Sequence, residues 1–315
     1  MARPLVSIIT PAYNSSAFIA DTIRAALAQT CADFEFLIAD DESTDGTIDA
    51  VHRASGGDRR VVVMASPHGG PAAARNVALN AARGRFIALL DSDDVWMPSY
   101  LEQQLRLLAR ARDCAIVTAN AINRGGVLDG RPLWATTTGT RKLAARDLII
   151  ESDAVCIMAV FRREVVDRVG GFDPAFNGNE DYEFWLRAVN GAFRIVRNHQ
   201  PLGYYRRRPD SVSSNEIRML NGIIRVLESV SRTDGRLAAE RGVIARQILQ
   251  CRRQIVKAQM RASFAKSDGE GAAAGLKTLS EINGSWGLAL AAKLGMTWPQ
   301  LLIRAYDLKR SLRAS

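Results

Sequence analysis

The first hundred residues alternate two hydrophobic rhythms. Short runs rich in Val, Ile, Leu and Phe at 5–10, 34–40, 60–66 and 85–90 predict buried strands. Pro11 and Asn14, both turn formers, are expected to end the first run. Between the runs the spacing turns helical. Ile19, Ile23, Ala26 and Leu27 share one face, and a short helix is predicted from Thr47 to about Ala54. An alanine-rich helix follows over "AAARNVALNAARG", with Gly84 as its C-cap. Pro98 and Ser99 open another, with Leu101, Leu105 and Leu108 on one side. This order predicts an α/β fold: a mostly parallel sheet flanked by helices. Ligands of such sheets sit beyond the carboxyl ends of the strands. The strand ends at 11–14, 40–41, 66–70 and 91–94 should therefore line one crevice.

The pattern beyond is less regular. Residues 114–122 read as a strand and 123–140 as loop or hairpin. A strand, a short helix and a Gly-Gly break follow. Phe184, Trp185, Ala188 and Val189 then share a helix face, and another strand comes after. From Glu216 onward the pattern is helical. The expected division is a catalytic unit over 1–212 and a helical extension over 213–315.

Composition narrows the class. With 315 residues, 47% hydrophobic and 24% charged, the chain reads as an ordinary soluble globular protein. Its opening lacks a secretory pattern, and no long uncharged apolar window predicts a membrane span. Four scattered cysteines and three distant histidines support neither a disulfide framework nor a zinc site. A cytoplasmic setting is expected. Residues 1–200 carry 22 basic and 24 acidic side chains, a net of −2; residues 201–315 carry 20 and 9, a net of +11. The basic part is expected to meet something anionic, such as a membrane surface, unless it is only a solvated helical face. Charge without a recognition motif does not support nucleic-acid binding.

The candidate chemistry begins at "FIALLDSDDVW", where a strand breaks into Asp91, Asp93 and Asp94. Crowded carboxylates need compensation. No Lys or Arg is adjacent in sequence, so a hard cation, Mg2+ or Mn2+, is one answer. The other is helix capping, which best explains Asp94, ahead of a helix starting near Met97. Asp40 could accept from a nucleobase N–H or hold an Asx-turn. Arg75, near a helix start, suits a diphosphate or a surface ion pair. Three arginines in "YYRRRPDSVSSN" (204–215) could belong to a closing loop that grips phosphate, or to a solvated edge.

Five ordered segments make the chain similar to a known family. "VSIITPAYN", "IADDESTDGT", "GGPAAARNVALNAARGRFIALLDSDDVWMPSYLE", "VGGFDPAF" and "NEDYEFWLR" resemble the family 2 glycosyltransferases of GT-A fold, a Rossmann-like architecture. The resemblance spans residues 5 to about 212. It implies an inverting, metal-dependent transfer from a nucleotide-sugar, a UDP-sugar above others, to a glycan or lipid-linked acceptor in bacterial cell-surface polysaccharide synthesis. It implies Asp91 and Asp93 at the metal and diphosphate, Asp93 being the more direct ligand. Pro11, Ala12, Tyr13, Asn14, Asp40, Asp41, Arg75 and Ser92 fall to the donor. Asp181 matches the general base, with Glu180 beside it, and Trp185 and Arg187 would face the acceptor. Glu42 stands where the family usually has glycine. The competing function is a nucleotide-sugar-binding scaffold without catalysis.

Overall fold

In a computed structural model, residues 3–137, 139–208 and 215–314 are described. The expected boundary at residue 212, and half of the expected closing loop, lie at 209–214, outside them. The first half alternates β1 (Val6–Ala12), α1 (Ile19–Leu27), β2 (Phe34–Asp40), α2 (Thr47–Ser55), β3 (Val61–Ala65), α3 (Gly70–Ala81) and β4 (Phe86–Leu89). Then come β5 (Val95–Trp96), α4 (Tyr100–Arg110), β6 (Ile116–Arg124), β7 (Thr140–Leu143), α5 (Ala145–Ile150), β8 (Ala159–Arg162) and α6 (Glu164–Val169). The strand part closes with α7 (Glu180–Asn190) and β9 (Ile195–Arg206). Helices α8 (Glu216–Val230), α9 (Arg241–Ala265), α10 (Gly269–Asn283), α11 (Trp286–Thr297) and α12 (Pro299–Ala314) follow.

The nine strands form one sheet, ordered β3-β2-β1-β4-β8-β6-β9-β5, with β7 also paired to β9. The β3-β2-β1-β4 half is parallel throughout, and antiparallel neighbours join only beyond β4. Helices cover both faces, which is why β2 is buried at every position and reads as an unbroken apolar run. Register aligns the strand ends: Ala12 lies opposite Asp40, and Asp40 opposite Ala65. Among the described residues no helix is long and apolar enough to cross a membrane.

Three local expectations are corrected. Strand β1 runs through Pro11 instead of stopping before it. Ile9 accepts from Leu90 on the β4 side, so Pro11, two residues on, turns its missing N–H toward the same side. The β4 ladder has ended there at Leu89, and nothing is lost. Gly84 does not cap α3, which ends at Ala81. A Cβ on Gly84 would stand 2.4 Å from the Ser7 nitrogen, so glycine is needed there for close packing. Asp94 caps no helix. Val95 and Trp96 instead pair with Tyr204 and Gly203 of β9, and α4 starts only at Tyr100.

Candidate active site

A cavity of about 840 Å³ opens at the carboxyl ends of the parallel strands. Pro11, Ala12 and Tyr13 line it from β1, Asp41 from β2, and His68 and Gly70 from the turn into α3. Arg75, Asp91, Ser92 and Asp93 lie deeper, and Glu180 and Asp181 face it from the start of α7. Asn14, Asp40 and Asp94 are one layer back, outside the lining.

Those three order the walls. Asn14 Oδ1 accepts from the Thr44 N–H (2.9 Å), holding the loop after β2. Asp40 accepts from the Ser43 N–H through Oδ2 (3.1 Å), which is the turn role. Its Oδ1 is buried without a partner. Asp94 Oδ1 accepts from the Arg206 N–H (2.9 Å), tying the acidic turn to the end of β9. Burial, then the charges of Asp93 and Asp91, push the Asp94 carboxyl well above its usual range. Glu42 adopts φ +62°, the left-handed region glycine enters freely, which accounts for the family's glycine here.

Asp41 and Arg75 are both occupied by protein partners. Asp41 accepts from the Gly69 and Gly70 N–H groups, each at 2.9 Å, and so fills the N-terminus of α3. Gly70 is required there: φ is +80°, and a Cβ would run into Asn177. Arg75 is buried, not a surface residue. Its Nη2 donates to Asp91 Oδ1 (2.7 Å) and its Nη1 pairs with Glu180. Arg75 thus lines the cavity while held between two carboxylates.

The fold thus supplies cations that are absent from the neighbouring sequence. Arg75 arrives from α3. From the end of β9, Arg206 donates to the Asp93 carbonyl (2.9 Å), and Arg208 stands 3.6 Å from Asp93 Oδ2. Even so, burial and the Asp91 charge push Asp93 up to about 6, against the pull of Arg208. Ser92, also on the cavity, shares a 2.7 Å hydrogen bond through its Oγ with Ser15.

The donor set suits a hard cation. Asp91 and Asp93 reach the cavity with 27% and 22% of their side chains exposed. Mg2+ and Mn2+ commonly take one or two carboxylates and complete their shell with phosphate and water. Among the described residues no three His, Cys, Asp or Glu side chains form a ready-made cage. Asp91 and Asp93 would therefore hold such an ion together with the ligand.

Asp181 sits at the first turn of α7, its Oδ1 accepting from the Tyr182 N–H (2.7 Å). Burial first, then the Glu180 charge, push it up to about 7, with Arg75 opposing. Glu180 is buried and committed: Oε1 pairs with Arg75, and Oε2 accepts from the Gly178 N–H (2.6 Å). A buried carboxyl that titrates near neutrality and opens onto a cavity can take up a proton there.

Trp185 and Arg187 lie away from the cavity. Trp185 is core, edge-on to Phe161 and Phe184. Arg187 pairs with Glu183 and donates to the carbonyls of Val169 and Gly171, closing the C-terminus of α6. The fourth and sixth positions after Asp181 turn these side chains inward, because α7 buries almost its whole circumference.

Other residues line the cavity without a motif to announce them. His68 is one, its ring 4.8 Å from that of Tyr13 at the rim. Trp134, in the 123–140 loop, is clamped by Asn120, which both donates to its carbonyl and accepts from its N–H. Arg218 and Met219 of α8 complete the wall. Helix α8 meets the start of α7 so closely that a Cβ on Gly222 would overlap Asn179.

Comparison with known proteins agrees with this geometry. Residues 7–170, just over half of the chain, match the profile described as "Glycosyl transferase family 2". TuaG of Bacillus subtilis, a putative teichuronic acid biosynthesis glycosyltransferase, is 34% identical over 216 residues, 68% of this chain and 83% of its own. WfgD of Escherichia coli, a UDP-Glc:alpha-D-GlcNAc-diphosphoundecaprenol beta-1,3-glucosyltransferase, is 31% identical over 225 residues, 69% and 82% of the two chains. The S. aureus TarS 1–349 structure with UDP-GlcNAc superposes with a TM-score of 0.65 at 17% identity, covering 96% of this chain and 92% of its own. The mannosyltransferase PcManGT of Pyrobaculum calidifontis, solved with GDP-Man and Mn2+, gives 0.60 at 18% identity, covering 98% and 88%. The two structures support the fold, and the sequence matches support the lineage. This chain belongs to glycosyl transferase family 2.

Proposed function

We propose that the chain transfers a sugar from a UDP-sugar to a hydroxyl of a lipid-linked glycan, with inversion, in the building of a bacterial cell-surface polysaccharide. One observation carries the reading: Arg75 joins Asp91 to Glu180, which sets Asp181 on the same cavity as Asp91 and Asp93. The acceptor class is taken from the diphosphoundecaprenol acceptor in the name of WfgD. The UDP preference rests on WfgD and on TarS, solved with UDP and UDP-GlcNAc.

A divalent cation held by Asp93 and Asp91 would supply Lewis-acid stabilisation of the charge leaving with the diphosphate. The nucleobase end belongs to Pro11, Ala12 and Tyr13 on the cavity wall, with Asp40 and its unpaired Oδ1 in the layer behind them. Asp181 takes the proton from the acceptor hydroxyl as that oxygen attacks the anomeric carbon. Attack from the face opposite the leaving diphosphate inverts the centre in one displacement. Glu180 and Arg75 hold Asp181 in place and stay out of the proton's path. Arg206, Arg207 and Arg208 give the diphosphate side of the cavity its positive charge. Residues 1–212 are the catalytic unit of this reading. The basic region over 213–315 keeps the enzyme at the cytoplasmic face of the membrane, where such acceptors lie.

The test is a thermal-shift panel of nucleotide-sugars with and without Mn2+. A true donor at a hundred times its Kd stabilises by about 2.7 kcal/mol. Failure of every nucleotide-sugar to stabilise the folded chain in Mn2+ would overturn the reading.

A further inference from the structure

Helix α11 is apolar on more than one side, with Lys293 its single charged residue. The inward side is accounted for. Ala292 and Gly295 are buried, and a Cβ on Gly295 would stand 2.7 Å from Leu302 Cδ2 and 3.1 Å from Ala273 Cβ. Helices α12 and α10 therefore close on that face. Among the described residues the outward side has no such partner. Trp286, Leu290 and Leu294 recur every fourth residue there, and Trp286 is 79% exposed. Met296, Trp298 and Leu301 continue the apolar surface through the turn into α12. Of thirteen exposed large apolar side chains among the described residues, these six fall within residues 286–301. Scattered apolar residues need no explanation, but a concentrated set marks an interaction surface.

We infer that this surface is an interfacial anchor that seats the chain on anionic lipid, with Trp286 and Trp298 at headgroup depth. Residues 286–315 carry five Lys or Arg and a single Asp. A second copy would bring that positive charge against itself, whereas anionic headgroups complement it. The two tryptophans suit the same occupant, since an indole ring is apolar with one polar edge and belongs at a membrane–water boundary. Length sets the mode of binding. The 12 residues of α11 span about 18 Å at the helical rise, short of the roughly 30 Å hydrocarbon core. The helix lies in the interface and does not cross it. The inference deepens the lipid-linked-acceptor reading and rests on it for its purpose: the anchor would bring the cavity to acceptors held in the membrane.

The test uses the full chain and vesicles of equal phosphatidylglycerol and phosphatidylcholine, or of phosphatidylcholine alone, separated by centrifugation. The chain is expected to co-sediment with the anionic vesicles and to bind neutral ones at least about tenfold more weakly. Trp286→Ser with Trp298→Ser should weaken anionic binding at least about tenfold. Lys293→Glu with Arg304→Glu should do the same, while both variants keep the wild-type circular dichroism and UDP-induced thermal shift. Absence of wild-type binding, or undiminished binding by both variants, would overturn the inference. A dimer in light scattering that the tryptophan variant converts to monomer, with no wild-type vesicle binding, would assign the surface to a second copy and also overturn it. Vesicle binding is read without sugar transfer, so either reading can fail alone.

Discussion

The Arg75 guanidinium donates to Asp91 Oδ1 at 2.7 Å, and its other nitrogen pairs with Glu180. One buried cation thereby links the acidic turn after β4 to the first turn of α7. Removing it would leave two carboxylates short of their charge partner in a dry setting. Arg75→Ala should destabilise the fold by about 3–5 kcal/mol. Arg75→Lys should recover only part, because an ammonium cannot span both carboxylates as the planar fork does. Urea unfolding of the two variants measures this, and a loss below about 1 kcal/mol for Arg75→Ala, the range of a surface pair, would contradict the link.

The same arginine predicts a pH dependence. In its proposed role as base Asp181 acts deprotonated, and its carboxyl is pushed up to about 7. Below that pH it carries a proton already, so activity should rise with pH through about 7. Arg75 opposes the upward shift, so in Arg75→Gln the midpoint should move to higher pH. Single-turnover rates measured from about pH 5 to about pH 9 would show it. A flat profile would remove Asp181 as the titrating base.

Trp185 provides a control inside the catalytic motif. It packs against Phe161 and Phe184 and does not line the cavity. Trp185→Ala should therefore cost about 3–5 kcal/mol of stability through the cavity it creates. Trp185→Phe should leave the KM for acceptor unchanged, whereas a large rise would restore Trp185 to the acceptor site.

These residues show what a sequence can disclose. Parallel strands buried on both faces leave unbroken apolar runs, so β1, β2 and β4 are legible to within two residues at each end; β3, an edge strand with no buried residue, is legible as closely from its run of valines. A carboxylate at such an end stands out, as Asp40 and Asp91 do. Its compensation is not legible when it comes from far along the chain. Arg75 and Glu180 are 105 residues apart, and Arg206 is 113 from Asp93. Short-range logic therefore turned Asp94 into a helix cap and left Arg75 as either a diphosphate ligand or a surface pair. Tertiary contacts gave Asp94 to a β9 backbone N–H and enclosed Arg75 between carboxylates. The same limit hid Trp134, whose place on the cavity depends on a clamp from Asn120.

Glu42 carries a smaller cost. Its φ of +62° places a side chain in the left-handed region, and it is exposed. Glu42→Gly should raise stability by up to about 1 kcal/mol and leave donor affinity within about twofold. A fall in thermal midpoint would show that the Glu42 side chain makes a compensating interaction.

The central claim is the division of labour across the cavity: Asp91 and Asp93 hold the donor's diphosphate through a cation, and Asp181 moves the proton. Asp181→Asn tests it in one titration followed by one turnover. Calorimetry in Mn2+ should give a donor Kd close to wild type, while kcat falls by about 10² or more. Unchanged kcat in that variant, or loss of donor binding along with activity, would contradict the account.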